Sequence, residues 1–286
     1  MSGVFTLCLA VAAVCYLASA LCAGAGLFFA DQVQRDQARR QVWQRAALGA
    51  ALAGFALHSA ALLLALLGFI DWDNSYFLHL TAWVFMLVYP AMRGRVQADF
   101  LNMVCACPAF LLLLAGLAMR HLGLTQLPGA AYFSGPLFTI HVAAMFTGLS
   151  CMVIGCGAGL AFLHLERKIK LKTSLAGLGG GFPALTGLDR AGRLAVLWGL
   201  PLFSLGLAAG FVWSSKAWGG FSWDIKEIVS GLVWLLYAWL FYIRLQGRTG
   251  RYPARLAVWV FGLSMFSLLV VNIFLPSHHS FAPWHG

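Results

Sequence analysis

Apolar runs of about twenty residues recur along this chain, a length that spans the hydrocarbon layer of a bilayer as a helix. The sequence is 61% hydrophobic and only 10% charged, too little polar surface to clothe a water-soluble fold of 286 residues. The expected fold class is an all-α integral membrane protein, a single membrane domain over residues 1–286. Eight transmembrane helices fit, over 4–30, 46–70, 77–92, 101–119, 136–165, 194–213, 225–245 and 256–275. The N-terminus lacks a basic leader, and its apolar run is too long for a signal-peptide core, so it reads as a retained first helix.

The net charge of +10 is informative through its placement. Sixteen of the 19 Lys and Arg residues fall in alternate loops: Arg35 to Arg45, Arg93 and Arg95, Arg167 to Arg193, and Arg244 to Arg255. The positive-inside rule puts those loops in the cytoplasm and both termini on the outer face. The basic balance thus reports membrane topology and implies no nucleic-acid partner. All nine Asp and Glu lie in loops or near helix ends, which argues against a proton pump built on buried carboxylates. The seven cysteines fall inside expected spans, where they pack as small residues and form no disulfide framework. A basic linker with Gly177, Gly179, Gly180 and Gly181 lacks the G-K-[ST] of a phosphate loop and reads as flexible.

The segment from Trp213 to Glu227 is expected as an outer loop, and it has two readings. Trp218, Phe221 and Trp223 with Gly219 and Gly220 form a stiff apolar platform for a flat conjugated ligand, or a belt at the membrane–water boundary. Asp224 and Glu227 have capping-box spacing for the next helix, and Asp189 is placed to cap the sixth. His58 falls near the bilayer midplane, either as a functional group or as a histidine bonded across helices. His79 has two readings, a surface histidine, which is favoured, or part of an outer-face site, and His121 reads as solvated. His141, His278 and His279 share the outer face with the tryptophans. Imidazole is a common axial ligand of haem iron, so topology converges on an outer haem site. Zinc is the rival, but no thiol or carboxylate cluster with zinc-like spacing accompanies these histidines.

Trp213, Ala217-Trp218-Gly219, Trp223-Asp224-x-Lys226-Glu227 and Trp234-x-x-Tyr237-Ala238 resemble the tryptophan-rich "WWD" segment of the CcsA/CcmC cytochrome c assembly family. Gly54-Phe55-x-Leu57-His58, His141-Val142, Leu188-Asp189-Arg190, and Asn272 with Leu275 and His279-Ser280-Phe281 extend the likeness over most of the chain. The resemblance implies haem handling in the bacterial inner membrane, with haem b as cargo. It also implies a CcsB/ResB-like partner subunit, apocytochrome c as client, and a haem lyase or cytochrome c synthase role. Carried over, His141 and His279 would be the axial ligands, with His278 as neighbour and Trp213, Trp218, Phe221, Trp223 and Asp224 around the ring.

Three positions depart from the family pattern. The segment is one residue short, with Phe221 where a tryptophan is expected. Ile225 replaces a proline. Tyr242 stands where synthase members carry a seventh-helix histidine, for which His58 is a conceivable substitute. These departures keep a second reading open, a HemX-like regulator of glutamyl-tRNA reductase without ligase activity.

Overall fold

The computed structural model describes residues 2–28, 37–68, 73, 75–92, 98–123, 136–171, 184–218 and 225–271. Among these residues the regular structure is entirely helical: α1 (Ser2–Phe28), α2 (Gln37–Leu66), α3 (Tyr76–Met92), α4 (Ala98–His121), α5 (Pro136–Lys170), α6 (Leu185–Trp218), α7 (Ile225–Leu245) and α8 (Arg251–Phe266). The last continues into a π-helical turn, Ser267–Val271. Seven of them are long and apolar enough to cross a membrane, α8 with its π-helical turn included, and α3, with 17 residues, falls short.

The helices pack as two groups. In the first, α1 lies against α2 and α4, and α4 against α3; in the second, α5 lies against α6 and α8, and α7 joins α6 to α8. Contacts of α3 and α4 with α5 connect the groups, and one apolar core runs through both. Outside that core, large apolar side chains face outward, Trp198 at 64% and Trp259 at 72% exposure. On a water-soluble protein such a coat would aggregate; on a bilayer protein it meets lipid.

Several helices outrun the expected spans, among them α2, which begins at Gln37, and α8, which begins at Arg251. Helix α5 continues to Lys170, and α6 begins at Leu185 and ends at Trp218. The apolar stretch marks the hydrocarbon layer, whereas backbone hydrogen bonding continues past it wherever polar side chains suit the helix. In α5 the last turn carries Arg167, Lys168 and Lys170, which favour the negative end of the helix dipole. Glu166 there pairs with Lys170 at 2.7 Å and with Arg251 of α8 at 3.1 Å.

The early start of α6 changes the role of Asp189, which sits inside the helix and does not cap it. Its carboxylate meets Arg244 of α7 at 2.6 Å, and Arg244 is only 3% exposed. A guanidinium buried at a helix interface needs a counter-charge, and Asp189 supplies it. All seven cysteines are free thiols. The glycine-rich linker lies outside the described residues.

Candidate functional site

Helix α5 opens with Pro136, favourable at a first helical position because its missing N–H costs nothing there. His141 follows in the second turn, opposite Gly206 and Gly210 of α6. Its Nδ1 lies 2.7 Å from the Gly206 carbonyl oxygen. A carbonyl only accepts, so Nδ1 carries a ring proton and donates. Gly210 makes this approach possible: a Cβ there would stand 2.4 Å from Nδ1 and 2.6 Å from Cε1 of His141.

Trp213, one turn beyond Gly210, stacks on the imidazole with centroids 6.4 Å apart and planes 14° from parallel. Phe138 of α5 lies 5.1 Å from the indole, and Phe77 of α3 meets Phe138 edge-on at 6.3 Å. An aromatic row thus leads from α3 to the imidazole, at the end of the bundle where α6 approaches α7. An imidazole that donates one ring N–H to a backbone carbonyl is the arrangement in which metal-ligating histidines are often found.

The structure differs from the sequence reading at Trp213. It is a buried helical residue, 6% exposed, packed on His141; the helix continues through Trp218, so only 219–224 separate α6 from α7. Trp218 closes α6, but its side chain, together with Phe221, Trp223, Asp224, His278 and His279, lies outside the described residues. Among the expected site residues, His141 and Trp213 are therefore the pair brought together.

His58 lies in α2, in the other helix group. It is fully buried, with Nδ1 3.2 Å from the Tyr16 hydroxyl. His79 corrects the sequence reading: it is not at the surface but 0% exposed. Its place one turn into α3 looks superficial in sequence, but α1 and α4 close over it. Asp73, one of the carboxylates read as lying in a loop or near a helix end, is likewise buried. It accepts hydrogen bonds from the Ser75 amide at 2.9 Å and from the Ser75 hydroxyl, and meets Arg120 at 3.5 Å. Tyr242 is half exposed and packs on Trp239 at 5.6 Å, so it faces away from the bundle interior.

Sequence reading missed Gly206 and Gly210, the residues that seat His141. Their four-residue spacing is the small-xxx-small signal of close helix contact. Phe138 and Phe77 carry no comparable signal.

Tyr16 offers a direct check on the first helix group. Tyr16→Phe removes the hydroxyl from a buried imidazole nitrogen and should cost about 1–3 kcal/mol, read as earlier thermal unfolding in detergent.

These features define a class: a helical membrane protein with an oriented imidazole, backed by an indole, at one end of its bundle. The pattern of the family described as Cytochrome C assembly protein matches residues 72–279, and the chain belongs to that family. Among curated proteins it is similar to "Cytochrome c biogenesis protein CcsA" of Prochlorococcus marinus (strain MIT 9312), 30% identical over 162 residues, 50% of this chain and 52% of that one. The protein of the same name from Guillardia theta is 32% identical over 158 residues, again 50% and 52%. That of Synechococcus elongatus is 28% identical over 185 residues, 57% of each. The chain spans about half the length of the curated relatives it matches. No solved structure matches it.

Proposed function

We propose that this protein is a haem-handling component of cytochrome c biogenesis of the System II type, holding haem b at the outer membrane face for attachment to apocytochrome c. The observation that carries the reading is His141, with Nδ1 held by the Gly206 carbonyl and its ring stacked on Trp213 inside the family-matched region. In this reading both termini face outward and α3 counts as the eighth span. The charge asymmetry of the loops supports that orientation. The location is the bacterial inner membrane.

His141 and His279 would hold the haem iron through their imidazole nitrogens, with His278 next to His279 in the chain. Trp213 would steady the His141 ring by stacking on it. Trp218, Phe221, Trp223 and Asp224 would line the ring edge. Bound haem supplies the vinyl groups that become thioethers; the residues of this chain orient the iron and shield it. A CcsB/ResB-like subunit would complete the assembly in the bilayer.

The test is the absorption spectrum and haem content of the purified full-length protein, expressed with a ResB-like subunit. A low-spin bis-imidazole spectrum is expected, lost in the His141→Ala/His279→Ala double variant. Unchanged haem in that variant would refute the ligand assignment.

A further inference from the structure

Helices α7 and α8 are both long and apolar enough to cross a bilayer, and the short turn between them therefore lies at one membrane face. The turn is pinned. Gly247, at φ 73°, closes α7 with its N–H on the Arg244 carbonyl at 3.2 Å, and the Arg248 N–H reaches the Ile243 carbonyl at 3.1 Å. The Arg248 carbonyl accepts from the Arg244 guanidinium at 3.3 Å. Beside this turn the two helices are tied on their outer side. The Trp239 indole N–H donates to the Tyr252 hydroxyl at 2.9 Å, and Tyr242 packs on Trp239 at 5.6 Å. All three rings are exposed.

An indole only donates, so the Tyr252 oxygen is the acceptor in that bond and its own proton is free to donate outward. Arg255 follows three residues on and Trp259 four beyond that, spacings that share one helix face. Both are exposed. Arg255 lies about 6 Å deeper along α8 than Arg251, inside the membrane-crossing stretch. A guanidinium on the lipid side of a span lays its stem on apolar surface and turns its head toward the headgroups. Glu166, which reaches this end of α8, already holds Arg251 at 3.1 Å and Lys170 at 2.7 Å. The patch thus offers the Tyr252 hydroxyl and the Arg255 guanidinium as donors beside exposed aromatic rings, with Arg248 exposed in the adjoining turn.

We propose that this patch binds one anionic glycerophospholipid, phosphatidylglycerol in type. Its phosphate would sit on Tyr252 and Arg255, and its glycerol and upper acyl chain on Trp239, Tyr242 and Trp259. The donor set calls for an acceptor, and a phosphate on a guanidinium is a charge-assisted one. Depth points the same way, because Trp and Tyr rings collect at the headgroup level, where lipid phosphates lie. Charge selects among lipids. Arg248 and Arg255 attract an acidic headgroup and repel the ammonium of a zwitterionic one. The bound lipid would bridge α7 and α8 alongside the Trp239–Tyr252 hydrogen bond.

The experiment is native mass spectrometry of the full-length protein in detergent, titrated with phosphatidylglycerol or with phosphatidylcholine of identical acyl chains. Wild type should bind one phosphatidylglycerol at concentrations where phosphatidylcholine leaves it largely free. Arg255→Gln should weaken phosphatidylglycerol about fivefold, and Tyr252→Phe roughly threefold. Arg45→Gln is the control, an exposed arginine of α2 in the other helix group, and should bind as wild type. The proposal fails if the two lipids bind alike, or if either Arg255→Gln or Tyr252→Phe binds as wild type. It fails equally if Arg45→Gln matches the loss in Arg255→Gln, or if glycerol phosphate without acyl chains displaces the lipid at equal concentration.

Discussion

Gly210→Ala is expected to weaken haem retention sharply without replacing either proposed iron ligand. The new methyl would overlap the His141 ring, 2.4 Å from Nδ1. Either the imidazole swings away from the Gly206 carbonyl or α5 and α6 separate. Overpacking of this kind costs about 1–3 kcal/mol, and losing the hydrogen bond adds about 1 kcal/mol. Transmitted to the ligand, that is roughly a ten- to thousandfold rise in the haem dissociation constant at about 1.4 kcal/mol per decade, measured by haem titration. Gly231→Ala is the control, because a Cβ there meets nothing within 4 Å. Equal haem affinity in the two variants would mean that Gly210 does not seat the ligand.

Asp189→Ala should be the most destabilising change at the opposite end of the bundle. It would strand the Arg244 guanidinium, 3% exposed, whose Nε already lacks a partner among the described residues. Removing one member of a buried ion pair costs about 3–5 kcal/mol. Thermal unfolding in detergent should show the loss, and Asp189→Ala combined with Arg244→Leu should recover much of it. No recovery in the double variant would mean that Asp189 stabilises α6 by some means other than neutralising Arg244.

The helices were legible because hydrocarbon thickness fixes their length and the apolar pattern is unbroken. The place of His141, just inside the start of α5, was legible as well. Burial between helices was not. His79 and Asp73 sit where a chain reading expects headgroups and water, and only the packing of α1 and α4 over α3 encloses them. Asp189 looks like a cap until Arg244, 55 residues later, turns out to be buried beside it. Trp213 looked like part of an exposed shelf because sequence cannot say that α6 continues past it. Gly210 leaves a spacing signal but gives no hint that its partner is a histidine.

The one described helix that falls short of a full membrane span has a consequence for how the protein meets its bilayer. Helix α3, at about 1.5 Å rise per residue, spans some 25 Å, less than a typical hydrocarbon layer of about 30 Å. Alone it would suffer hydrophobic mismatch. Yet from Tyr76 to Pro90 only Leu87 and Pro90 are exposed, so its neighbours, and not lipid tails, set the length it must match. Changes in acyl-chain length would therefore strain the outer helices, whose flanks face the lipid, and leave α3, with Phe77 and the aromatic row behind it, at constant depth.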